Sequence, residues 1–136
     1  TRTDLVALLD FVHEHDLVGS VDPVQYTIRL LLPKGSLLLG HPDLAPHLGA
    51  FDDERMSYEW RAAEPGVDAL QRHLARLVEE GTEAGESDLT IYARIRDAVG
   101  APEVDLSSST IGRPRLTESW FCCAEPTEVQ LRTVAR

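Results

Sequence analysis

The scarcities of this sequence narrow it first. Its 136 residues include only two cysteines, and one methionine. Two cysteines cannot build a disulfide framework, which points to a reducing, cytoplasmic compartment. No uninterrupted apolar run approaches the roughly 20 residues of a membrane-crossing helix. Positive charge is in short supply: 13 Lys+Arg stand against 23 Asp+Glu, a formal net charge of −10. That balance argues against a nucleic-acid or anionic-membrane partner. A Gly-rich phosphate loop, a nucleophile elbow and zinc-ligand spacing are all missing. A signal-peptide pattern is missing too, and the chain begins at Thr1, which leads us to expect a piece of a longer protein.

What remains is globular in character, with 43% hydrophobic and 26% charged residues. The length suits one modest domain-sized piece. The first segment predicts a helix. Thr3 can cap it, Asp4 suits the positive end of its dipole, and Leu5, Leu8, Leu9 and Val12 form an apolar stripe. Gly19 closes that unit.

Two readings compete for Val21–Leu39. Asp22-Pro23-Val24-Gln25 is a good helix start. Against it, Val24, Tyr26, Ile28, Leu30 and Leu32 alternate with the polar Gln25, Thr27 and Arg29. That period of two favours a strand, ended by Pro33 and Gly35. On a barrel strand, Gln25, Thr27 and Arg29 would face an interior that holds a ligand. On an edge strand the same three would face water.

Residues 40–66 are loop-rich, with a short extended piece at Tyr58-Glu59-Trp60. A second helix is expected from Val67 to about Glu80, with Val67, Leu70, Leu74, Leu77 and Val78 on its apolar face. Ser87 then caps a third helix to about Val99, stopped by Gly100-Ala101-Pro102. Its expected stripe, Leu89, Tyr92, Ala93, Arg96 and Val99, contains an arginine. Ala101–Leu116 is Ser-rich and predicts a flexible arm.

Both cysteines fall together, at Cys122-Cys123, behind Trp120-Phe121. Adjacent thiols can act as a dithiol/disulfide pair or as nucleophiles. They can equally be small apolar residues packed beside two aromatics. The histidines offer less. His13 and His15 do not share a helix face, and His41, His47 and His73 lack ligand spacing. Asp52-Asp53-Glu54 lacks the oxygen pattern of a calcium loop and reads as a solvated turn.

The tail Leu116-Thr117-Glu118-Ser119-Trp120-Phe121-Cys122-Cys123-Ala124-Glu125-Pro126 resembles the C-terminal signature of radical S-adenosylmethionine proteins whose tail reads Cys-Cys-Ala-Glu-Pro. In some members of that family the second Cys is selenocysteine, at the place of Cys123. Asp4–Leu39 resembles the last helix and strand of the family's partial (β/α) barrel. The resemblance implies an α/β fragment in three parts. Residues 1–39 would end the barrel, 40–100 would form a helical extension, and 101–136 would be a flexible arm with the Cys-Cys tail.

It further implies that Cys122 and Cys123 are redox or nucleophilic, with Glu125 tuning the thiols or capping a terminal helix. Gln25, Thr27 and Arg29 would face substrate or S-adenosylmethionine. The family's [4Fe-4S] cluster needs a Cys-x3-Cys-x2-Cys motif that this chain lacks. The cluster, S-adenosylmethionine and any cobalamin are therefore expected on the rest of a parent chain, which is the implied partner. The substrate would be a small molecule or peptide. The alternative expectation is a non-catalytic helical module with buried cysteines.

Overall fold

The computed structural model describes residues 1–109. These residues are mixed α/β, with three α-helices and a two-stranded antiparallel sheet. They divide into two compact units, one from residues 1–27 and 64–109, the other from 28–63. Among the described residues, no helix is long and apolar enough to cross a membrane.

The first unit is helical. Helix α1 runs Arg2–Glu14 and starts two residues earlier than Thr3 would cap it. Thr1 caps it instead, in a reciprocal capping box with Asp4. Leu9 and Val12 of the expected stripe are buried, whereas Leu8 points away and stays 46% exposed. Helix α2 spans Val67–Glu83 and helix α3 spans Asp88–Val99. Ser87 Oγ accepts from Thr90 N at 3.2 Å, the expected N-cap. Gly100 adopts φ 72° at the C-terminal end of α3, a conformation that favours glycine.

These helices enclose Leu9, Val12, Leu70, Leu74, Leu77, Val78, Ile91, Tyr92, Ile95 and Val99. The α2–α3 approach is close at Gly81, where a Cβ would lie 2.9 Å from Ile91 Cγ1. Among the described residues after α3, 101–109 form no helix or strand, and Ala101 and Leu106 pack against the same core.

The strand expected over Val24–Leu32 does not form. Pro23–Thr27 is a 3₁₀ helix. The competing start signal prevails: Asp22 Oδ1 accepts from Val24 N at 3.1 Å, and Pro23 cannot donate to a ladder. Thr27 Oγ1 returns a hydrogen bond to Val24 O at 2.8 Å. Tyr26 and Thr27 are both buried from this turn, so burial here does not follow a period of two.

The second unit is built on a hairpin of β1 (Leu48–Asp52) and β2 (Ser57–Trp60). Leu48 pairs with Trp60, Phe51 with Tyr58 and Asp52 with Ser57, with an irregularity between Leu48 and Phe51. The acidic cluster forms the turn, where Asp52 Oδ1 accepts from Glu54 N and Arg55 N. Leu30–Leu32 lies along β2. Tyr58 N donates to Leu32 O at 2.8 Å, and Leu32 N donates to the buried Ser57 Oγ at 3.0 Å.

Candidate functional site

Cys122, Cys123 and Glu125 lie outside the described residues. The other three candidates do not share a strand face. Gln25 is exposed on the 3₁₀ helix. Thr27 is buried on it, and its carbonyl accepts from Gln71 Nε2 at 2.6 Å. Thr27 therefore anchors α2 and has no free hydroxyl for a ligand, because that hydroxyl is bonded to Val24 O. Arg29 belongs to the hairpin unit. Its guanidinium carbon sits 4.1 Å from the centre of the Trp60 ring, and Nη2 donates to Trp60 O. Trp60 Nε1 in turn donates to Leu30 O at 2.9 Å. Arg29 thus ties residues 29–30 to β2 through stacking and hydrogen bonds.

The same unit repeats that pairing. Lys34 Nζ lies 4.0 Å from the centre of the Phe51 ring and 3.5 Å from Asp53 Oδ1. Phe51 meets Tyr58 edge to face at 5.1 Å.

The helical unit holds a buried polar group that the sequence pattern disguised. Arg96 is 3% exposed. Its Nη2 lies 2.8 Å from Asp10 Oδ1, and Nε and Nη2 donate to Pro102 O at 3.3 and 2.9 Å. Burial opposes the Arg96 charge, but hydrogen bonds to Asp10 and Tyr92 outweigh it and raise its pKa. Arg96 Nη1 is buried with no hydrogen-bond partner among the described residues. The expected α3 stripe did contain Arg96, and an arginine inside an apolar stripe was the available signal.

Two tyrosines complete this core. Tyr92 is fully buried and donates to Leu9 O at 2.6 Å. Tyr26 packs against it at 5.6 Å, with its own hydroxyl buried and unpartnered among the described residues. Burial pushes both phenols up, Tyr26 strongly; for Tyr92 the neighbouring Arg96 works against that shift. A buried phenol that holds its proton this firmly is unsuited to proton transfer near neutral pH.

Among the described residues, no three His, Cys, Asp or Glu side chains gather to hold a metal ion. Over the whole chain, two adjacent cysteines are one thiolate short of a three-cysteine cluster site and lack its spacing. The donor set therefore does not fit a [4Fe-4S] cluster. In comparisons with protein-family models, curated proteins and solved structures, the chain matches none.

Proposed function

We propose that this chain is the C-terminal portion of a radical S-adenosylmethionine enzyme, carrying a vicinal-thiol tail that acts on a reaction intermediate. The observation that carries the reading is the tail itself. The chain's only two cysteines are adjacent and stand inside Trp120-Phe121-Cys122-Cys123-Ala124-Glu125-Pro126. In this reading α1 corresponds to the closing helix of a partial (β/α) barrel, and α2 and α3 belong to the extension that follows it. The barrel's cluster, S-adenosylmethionine and any cobalamin are held by the parent, in the cytoplasm.

The chemistry assigned to this chain belongs to its thiols. A deprotonated Cys123 adds to an electron-poor double bond of an intermediate, so that a carbon–sulfur bond forms as the π bond opens and its electron pair takes up a proton from solvent. Alternatively, the pair gives up two electrons and two protons to an oxidised intermediate and closes as a disulfide. That disulfide is an eight-membered ring between neighbouring residues, a strained and readily reduced form. Glu125, two residues on, is placed in sequence to modulate the thiolate.

The test is Cys123→Ser in the parent enzyme, with thiol reactivity of the wild type measured in parallel. Fast alkylation of the wild type and a large loss of turnover in Cys123→Ser support the reading. Unchanged turnover overturns the tail's catalytic role. Thiols that resist alkylation until the chain unfolds favour the non-catalytic module.

A further inference from the structure

Helix α1 carries a second row of side chains on the side away from the core. Asp4, Leu8, Phe11 and His15 follow at steps of four, three and four residues, which keeps them in line along the helix. Such steps are also the spacing of a coiled-coil seam. All four residues are exposed, Leu8 by 46% and Phe11 by 51%. The opposite side carries Leu9 and Val12, which are buried in the core. A helix apolar on both sides is ordinarily covered on both. His15, the C-cap residue, belongs to the outer row because its ring stacks on Phe11 at 4.1 Å.

The order of the row indicates what covers it. It reads acid, apolar, apolar, imidazole, so it complements its own reverse. When a second copy of α1 lies antiparallel with Leu8 opposite Phe11, Phe11 also lies opposite Leu8. That reciprocal pairing is what a two-fold axis requires. Asp4 stands four residues before Leu8, and His15 stands four after Phe11, so the same register brings Asp4 opposite His15 at both ends.

Electrostatics select this direction. A parallel pair would set Asp4 against Asp4, a like-charge contact. In the antiparallel pair the two copies of Asp4 are 11 residues of helical rise apart, about 16 Å, beyond the screening length at physiological salt. His15 is prepared for its partner. Its Nδ1 donates to Phe11 O at 2.9 Å, so Nε2 is the nitrogen that meets the carboxylate, as a donor when the ring is protonated. Ala7, exposed beside the row, is small enough to let two helices approach closely.

We infer that α1 is a self-association surface: a second copy of this chain docks antiparallel on its outer face, Leu8 against Phe11 and Asp4 against His15 about a two-fold axis. This goes beyond the proposed thiol chemistry and does not depend on it. A few helical turns from each chain make a small interface, below about 1,200 Å² in all, so the dimer is weak and exchanges with monomer.

Sedimentation equilibrium of the full chain tests it, from about 10 μM to about 1 mM, the range in which a weak dimer forms. In the wild type, the mean mass rises with concentration toward that of a dimer. Leu8→Ser and Phe11→Ser each remove two symmetric contacts and weaken association about a hundredfold, about tenfold for each contact. Both side chains are exposed, so these substitutions leave the core of the helical unit in place. His15→Asp sets like charges together at both ends and also weakens association, whereas His15→Arg preserves it. A mixture of isotope-labelled and unlabelled wild type gives a readout that needs no substitution, an intermolecular NOE from the Leu8 methyls to the Phe11 ring. A monomer at every concentration overturns the inference, as does a dimer that Phe11→Ser leaves unchanged or that lacks this NOE. A Phe11 ring shielded from solvent in a monomer overturns it in favour of cover from within the chain.

Discussion

The buried guanidinium of Arg96 lies 2.8 Å from the half-exposed carboxylate of Asp10. The same guanidinium donates to Pro102 O, so one side chain joins α1, α3 and the segment after α3. The pair contributes stability only as a pair. Removing Asp10 leaves a buried cation without its counter-charge, whereas removing the cation leaves a carboxylate that water can reach. We expect Asp10→Ala to cost about 2 kcal/mol and Arg96→Met to cost less. The double variant should be no less stable than Arg96→Met alone. Urea denaturation of the three variants measures this, and additive losses would contradict it.

Arg96 also shows where the sequence was legible. The ends of α3 were plain because Ser87 and Gly100 are local signals, and both act as expected. The start of α2 at Val67 and its apolar face were plain from the helical spacing of Val67, Leu70, Leu74, Leu77 and Val78. The full inward face of α3 was not. Ile91 and Ile95 are buried there, although the expected stripe ran through Leu89 and Ala93. Arg96 resolves this: its partners Asp10 and Pro102 are distant in sequence, so no window around it shows that a charge can be buried. The segment at Pro23–Thr27 failed for a related reason. Alternation is evidence for a strand only when a neighbouring strand exists to pair with it. The Asp22 cap and Pro23 need no such partner. Of the candidate site, Gln25, Thr27 and Arg29 share a face only on a strand, and the 3₁₀ helix Pro23–Thr27 provides no such face.

Tyr26 and Tyr92 touch, yet their hydroxyls have opposite fates. Tyr92 donates to Leu9 O, and Tyr26 has no partner among the described residues. Tyr92→Phe should cost about 1–2 kcal/mol by leaving the Leu9 carbonyl without this donor. Tyr26→Phe should be neutral, or stabilising by up to about 1 kcal/mol, because it deletes a buried hydroxyl that makes no bond. Equal losses in the two variants would contradict this reading.

The same burial sets a pH dependence. Both phenols ionise at higher pH in the folded chain than in the unfolded one. Below the ordinary tyrosine value near 10, both states keep the proton and nothing changes. Above it the unfolded state binds fewer protons than the folded state, so stability falls as pH rises. Each tyrosine contributes up to about 1.4 kcal/mol per pH unit to that slope. Unfolding measured from pH 9 to 11 should show the decline. It should be shallower in Tyr26→Phe/Tyr92→Phe, and an unchanged slope would refute the assignment.

Gly81 tests how closely α2 and α3 are packed. A Cβ there meets Ile91 Cγ1 at 2.9 Å and Glu86 Oε2 at 3.1 Å. The glutamate can swing away, but Ile91 is 2% exposed and has no room to move. Alanine would otherwise favour a helix by about 1 kcal/mol over glycine. Here we expect the clash to prevail, so that Gly81→Ala destabilises by about 1–2 kcal/mol. A higher Tm for Gly81→Ala would show that the two helices yield.

In the hairpin unit, one hydroxyl carries a backbone group that the sheet does not. Leu32 is fully buried and its N–H donates to Ser57 Oγ, which is itself buried at the start of β2. Ser57→Ala removes that acceptor and leaves a buried amide unsatisfied, a loss of about 1–3 kcal/mol. The neighbouring bond from Tyr58 N to Leu32 O holds the same two segments together, so both amides report on their separation. Hydrogen exchange should therefore accelerate at Leu32 and Tyr58 in Ser57→Ala. Exchange at Tyr92 and Ile95 should stay as it was, because those amides lie in α3, within the other unit. Acceleration throughout the chain would instead mean that the two units unfold as one.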